Sequence, residues 1–204
     1  MYLISKYDLI MELTLDLKKR YSYADYLNWV DDKMRELIDG FIRMMAPAAS
    51  AHHQRTCGKL ITRLTNLIER NKGNCEVYPS PFDVRLPKNG EKENEKIYDV
   101  VQPDICVVCD PSKIDDRGCL GAPDLVVEIQ SFSTSRYDLT EKFNLYEASG
   151  VREYWVVYPY KEEKGVLVYL LQPDGKYDAG TKYSGGQIPV NIFEGCEIDF
   201  DQIF

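Results

Sequence analysis

Long apolar runs are missing from this sequence. No stretch approaches the roughly 20 continuous hydrophobic residues of a membrane span, and the first residues carry neither the apolar segment nor the small-residue cleavage site of a secretory leader. The expected compartment is therefore cytoplasmic, with no membrane partner. Paired cysteine knuckles are missing too. The six cysteines, at 57, 75, 106, 109, 119 and 196, lie mostly inside apolar patterns. On a strand the sulfurs of Cys106 and Cys109 would point to opposite faces, which argues against that pair as metal ligands. Positive charge is in deficit, the formal net charge being −8. A protein that coats nucleic acid non-specifically needs the opposite balance, because phosphate neutralisation supplies most of that affinity. A nuclease is not excluded, since its site is itself acidic and needs only a local basic rim. Internal repeats and low-complexity tracts are absent as well.

What is present is a chain of 204 residues, 44% of them hydrophobic, enough to build one domain with additions. A helix over residues 1 to 20 would gather Leu3, Tyr7, Ile10, Leu13 and Leu17 near one face, as an appendage or a dimerisation helix. A short helix through Tyr21 to Leu27 has Ser22 as its cap, with Asp25 three residues on. Arg35 to Ile38 meets Phe41 to Met45 across Asp39-Gly40, the two-residue chemistry of a type I′ hairpin. After a break at Pro47 to Ser50, a helix from about Ala51 to Arg70 puts Cys57, Leu60, Ile61, Leu64, Leu67 and Ile68 on one side. Its other side repeats Arg55, Lys59 and Arg63 every four residues, a stripe that is either a phosphate-binding rim or a solvated face.

Cys75 to Leu86 reads as a strand interrupted at Pro79-Ser80-Pro81, and Lys88 to Asp99 as a charged loop anchored by Ile97 and Tyr98 alone. Two apolar runs, Gln102 to Val108 and Pro123 to Gln130, follow as buried strands. A hydroxyl-rich turn at Ser131 to Ser135 leads into a helix from Tyr137 to Ser149, with Leu139, Phe143 and Tyr146 inward and Gly150 as its C-cap. Glu153 to Tyr158 is another strand. Short strands with Gly turns follow at Val166 to Leu171, Gly175 to Tyr177, Gln187 to Val190 and Glu197 to Ile203. The resulting order is an α/β mixed sheet flanked by helices. Residues 1–50 form an N-terminal part, 51–160 the core, and 161–204 a β extension of the same domain.

The candidate chemistry lies in the two central runs. If they pair antiparallel about a loop centred near Asp116, Asp104 faces Glu128. Opposed residues have Cβ atoms roughly 4.5–5.5 Å apart, and like charges at that distance repel unless compensated. Magnesium takes one or two carboxylates plus water and phosphate oxygens, so two acids on neighbouring strands suit phosphodiester hydrolysis. The alternative is that both acids merely solubilise strand ends. Glu128 fits that poorly, since it interrupts Leu-Val-Val-Glu-Ile, where an unpaired charge is costly. Asp124 shares a face with Glu128 but stands roughly 13 Å away along the strand, too far for one ion.

Helix, three strands, helix, strand is also the core order of the PD-(D/E)XK nuclease superfamily, and the chain resembles its Uma-type family of putative restriction endonucleases. The resemblance rests on Glu36 to Gly40, Met45 to Pro47, His53-Gln54, Phe82 to Leu86, Gln102 to Ile105, Gly121 to Ile129, Ser133-Thr134, Asp138 with Lys142 and Tyr146, and Gly150 to Trp155. It implies a restriction-endonuclease-like αβββαβ core with N-terminal helices and hairpin, acting on DNA. It further implies that Asp104 and Glu128 hold Mg2+ or Mn2+ with help from the Ile129 carbonyl. The lysine usual two residues after the acid is Gln130 here, which can orient a water but supplies no charge. Lys142, on the next helix with Asp138 and Tyr146 at four-residue spacing, is its expected substitute; the other reading is a surface pair between Asp138 and Lys142. Of Glu36, His53 and Asp83, one is expected to line the pocket. Besides a DNA endonuclease, for which a C₂ homodimer would suit two-strand cleavage, two readings stay open: a catalytically silent nucleic-acid-binding or protein-interaction module, and hydrolysis of some other phosphate ester.

Overall fold

The computed structural model describes residues 14–45, 49–130, 136–160 and 164–204, and for residues 136–139 the backbone only. The expected N-terminal helix is not what the described part of that segment forms. Leu3, Tyr7, Ile10 and Leu13 lie outside the described residues, and Thr14 to Arg20 is turn and bend, with Leu17 exposed. The cause is local. The Asp16 side chain accepts the Lys18 N–H at 2.9 Å and its carbonyl accepts the Lys19 N–H at 3.1 Å, a turn that competes with helix.

The short helix α1 (Tyr23–Tyr26) has the expected cap: Ser22 accepts the Asp25 N–H, and Asp25 reaches back to the Ser22 N–H. Strands β1 (Arg35–Ile38) and β2 (Phe41–Met44) form the hairpin, with Asp39 at φ 49° and Gly40 at φ 79°, as a type I′ turn requires. Helix α2 (Ala51–Asn71) starts at Ser50, which accepts the His53 N–H, and buries Leu60, Leu64, Leu67 and Ile68. The expected strand from Cys75 to Leu86 is two strands. Chain direction changes at the prolines, so β3 (Glu76–Pro79) and β4 (Val84–Arg85) belong to different sheets. The charged loop that follows is pinned by Ile97, which is fully buried.

Beyond it come β5 (Val100–Val101) and β6 (Ile105–Val108), then β7 (Ile114–Asp115), β8 (Gly118–Leu120) and β9 (Leu125–Ile129). Helix α3 (Arg136–Ser149) leads to β10 (Glu153–Tyr158), β11 (Gly165–Leu170), β12 (Thr181–Tyr183), β13 (Gln187–Pro189) and β14 (Glu197–Asp199). Among the described residues one mixed sheet runs β12-β11-β10-β9-β6-β3 and a second runs β2-β1-β5-β4-β8-β7, with β13 and β14 paired separately. In the first sheet β3, β6 and β9 are antiparallel neighbours and β10 lies parallel to β9. This is the αβββαβ order, with α2 before the strands and α3 crossing between β9 and β10.

Alternation along the central strands sends side chains to two cores. Ile105, Val107, Leu125, Val127 and Ile129 pack with α2 and with Ile188, Val190 and Ile203 of the C-terminal extension. Cys106, Val126, Tyr154 and Val156 pack with Tyr146 of α3 and with Val84, Val101 and Cys119 of the second sheet. Glu128 belongs to this second side. Buried Glu153 ties the extension to β10 by accepting bonds from Trp155 Nε1 (2.7 Å), Asn191 Nδ2 (3.2 Å) and the Ile192 N–H (2.9 Å). Cys75 and Cys109, which flank β3 and β6, are joined in a disulfide.

Candidate active site

Strands β6 and β9 pair Ile105 with Val127, Cys106 with Val126 and Val107 with Leu125, the register that carries Asp104 opposite Glu128. The connection is not a plain loop, because β7 and β8 leave to join the second sheet. Asp104 lies just outside the ladder. Its main-chain carbonyl accepts the Ser80 N–H at 3.1 Å, and its carboxylate accepts the Ile129 N–H at 2.7 Å where Pro103 opens the strand. His53, on the first turn of α2, brings Nε2 to 3.1 Å from the same Asp104 oxygen, Oδ2. Its Nδ1 is buried with no hydrogen-bond partner among the described residues.

Glu128 is held from the other side. Its Oε1 accepts from the Tyr146 hydroxyl at 2.7 Å and from Lys142 Nζ at 3.0 Å, while Lys142 also lies 2.9 Å from Glu36 Oε1. Glu36, on β1, accepts the Gln102 N–H at 2.8 Å as well. A bidentate pair from Arg43 on β2 to Glu141 on α3 locks the hairpin against the helix. Two segments distant in sequence thus supply acids on either side of one lysine.

Burial of Glu128 raises its pKa to about 7; Lys142 and Tyr146 act against the rise, and Asp104 and Glu36 add to it. Burial acts to lower the pKa of Lys142, but Glu128 and Glu36 outweigh it and the ammonium is held more firmly than usual. For His53 burial again works against the charged form. Asp104, Glu128 and the Ile129 carbonyl overcome it, so the ring keeps its proton to higher pH.

The structure brings Asp104, Glu128, Ile129, Lys142, Tyr146, Glu36 and His53 together. Gln130 is buried directly after β9, its N–H on the Val157 carbonyl. Asp83 stands one residue further off. Gln102 Nε2 donates to it at 2.8 Å and the Tyr23 hydroxyl at 3.2 Å, and burial raises its pKa. Asp124 is occupied elsewhere, with Arg152 and the Cys109 N–H. The basic stripe divides. Arg55 is exposed, Lys59 donates to the Phe204 carbonyl, and Arg63 lines a cavity against β13 and β14. The Asp138 side chain and Ser133-Thr134 lie outside the described residues. Missed in the sequence were Gln102 and Tyr23, which position Glu36 and Asp83. Their signal was slight, a polar residue before Pro103 and one tyrosine among several.

Among the described residues no three His, Cys, Asp or Glu side chains form a cluster able to hold a metal ion. No helix there is long and apolar enough to cross a membrane. A sheet of this order, with acids at the mouths of β6 and β9, defines a nuclease-like fold. Among solved structures the chain is similar to a protein described as a putative nuclease belonging to DUF820, from Anabaena variabilis, with a TM-score of 0.68 at 18% identity, covering 90% of this chain and 97% of that one. The family model described as "Uma2: Putative restriction endonuclease" matches residues 23–201, and the chain belongs to that family. It is also 32% identical over 130 residues to the uncharacterized protein slr1290 of Synechocystis, covering 62% of either chain.

Proposed function

We propose that this protein is a DNA endonuclease whose acidic pair is Asp104 and Glu128 and whose Lys142 replaces the lysine missing at position 130. The observation that carries this reading is a buried lysine, delivered by α3, lying 3.0 Å from the strand acid. Lys142 and Tyr146 fix Glu128 through one oxygen, Oε1, which leaves Oε2 without a bond from the described residues. His53 keeps a proton at Nε2 against Asp104. Gln130 would orient a water. Arg55, the exposed member of the stripe, would meet the phosphate backbone.

The residues fit a divalent cation, because Glu128 Oε2 takes no bond from the described residues and magnesium needs only one or two protein carboxylates. Asp104 and Glu128, with the Ile129 carbonyl beside them, would hold it. Bound there, Mg2+ or Mn2+ would supply Lewis acidity at the phosphate and a water of lowered pKa. Cleavage of both strands would call for two copies, as in a C₂ homodimer.

The test is cleavage of supercoiled plasmid in Mg2+ or Mn2+. Nicked or linear DNA is expected from the wild type and none from Asp104→Ala or Asp104→Asn, each checked for unchanged circular dichroism. Gln130 favours one competitor, a silent nucleic-acid-binding or protein-interaction module. DNA retention that survives Asp104→Asn and needs no metal, with no cleavage on any DNA form, would establish that competitor instead.

A further inference from the structure

Beside the acidic cluster, between α3 and strands β10 and β11, lies a cavity of about 290 Å³. Four aromatic side chains, Phe143, Tyr154, Tyr158 and Tyr169, line it together with Thr140, Val156 and Leu167. Its lining carries no charge, so a phosphate finds nothing there to neutralise it. The volume is near the lower bound of small-molecule sites, roughly 300–1,000 Å³, which is the scale of one planar ring system rather than a stretch of nucleic acid. Tyr154 and Tyr169 are nearly parallel, 18° apart with centroids at 6.0 Å, and Phe143 stands edge-on to Tyr169 at 4.9 Å. Tyr154 is fully buried, yet its hydroxyl has no hydrogen-bond partner among the described residues. Buried polar groups are ordinarily bonded, so this hydroxyl points to a missing partner. The cavity is one side chain removed from the proposed chemistry: Tyr154 packs 5.2 Å from Tyr146, whose hydroxyl holds Glu128.

We infer that this cavity receives a nucleobase of the DNA strand, unstacked from its neighbours, with the ring against the tyrosines and its polar edge on the Tyr154 hydroxyl. The inference rests on the nuclease reading and adds to it a site for one base next to the phosphate that is cut. Neutral aromatic walls with a few hydroxyls among them are what base stacking and edge recognition require.

The experiment uses Asp104→Asn protein, which should bind without cutting, and a short single-stranded DNA carrying one 2-aminopurine. Binding should quench the 2-aminopurine fluorescence, and an abasic site at that position should weaken affinity about tenfold. Tyr154→Phe keeps the ring and removes the hydroxyl, and Leu167→Trp fills the cavity; both should reduce the quench and the abasic penalty. A second titration uses adenosine alone on the wild-type protein. If plasmid is cut and the strand is bound, but 2-aminopurine stays bright and the abasic strand binds equally well, the base site is wrong and the nuclease reading stands. If DNA is neither bound nor cut, but adenosine binds and Tyr154→Phe weakens it, the nuclease reading fails and the base site stands. Indifference to both probes overturns the inference.

Discussion

Lys142 carries the electrostatic balance of the site, because two mostly buried carboxylates share its one charge. Removing one partner of a buried ion pair leaves the others without compensation, at a cost of about 3–5 kcal/mol. Lys142→Met should therefore lower urea stability by roughly that amount and abolish cleavage. Adding Glu128→Gln to it should restore part of the stability and none of the activity; strictly additive losses would show that the two side chains are not coupled.

The same burial sets a pH dependence. A glutamate in the unfolded chain titrates near 4.5, whereas Glu128 is raised to about 7 in the folded protein. Between those values the folded state binds the extra proton, so stability falls as pH rises through that window. His53, also raised, acts in the same sense: its contribution is complete below the unfolded value of about 6.5 and is lost as pH climbs through the folded one. In chelator-treated protein the melting temperature should drop as pH rises from about 4.5 to 7, and the drop should shrink in Glu128→Gln. A drop that is just as large in Glu128→Gln would mean that Glu128 is charged throughout.

Among the elements, those with strong local chemistry were legible. Asp39-Gly40 announces its hairpin and Ser22 its helix, because one or two residues settle the backbone there. Strands β7 and β8 fall where the sequence predicts a loop, since a strand of two or three residues has no periodicity and β8 finds its partner β4 35 residues back, Val84 against Cys119. Gly118 marks the contact. Its φ is 120°, and a Cβ would fall 2.2 Å from the Asp83 carbonyl oxygen, which accepts the Cys119 N–H. Gly118→Ala should cost about 1–3 kcal/mol from overpacking, with backbone strain added, and disturb Asp83. Gly58, on the exposed side of α2 with open space around its Cβ, is the contrast. Gly58→Ala should stabilise by about 0.5–1 kcal/mol, and equal effects in urea titrations of the two variants would contradict this account.

At the scale of the whole molecule, the disulfide between Cys75 and Cys109 ties β3 to β6, the strand that Asp104 precedes. It was not readable from spacing, because the two cysteines are 34 residues apart and meet only through the register of the sheet. Closing a loop of that length contributes about 2–4 kcal/mol. Reductant should lower the melting temperature of the wild type and leave Cys75→Ser unchanged; a wild type indifferent to reductant would remove the crosslink from the energetics.

The sequence by itself determined the order of the core elements and the two apolar runs that become buried central strands, because composition and periodicity are local. The register that sets Asp104 against Glu128 was an assumption there, and the pairing of β6 with β9 supplies it. Only tertiary structure decided that Glu36 and Lys142 join the acids, that Asp83 stays a step away, and that Lys59 is engaged by the C-terminal segment. Those contacts depend on how α3, the hairpin and the extension pack on the sheet, and packing is a property of surfaces that no local spacing records.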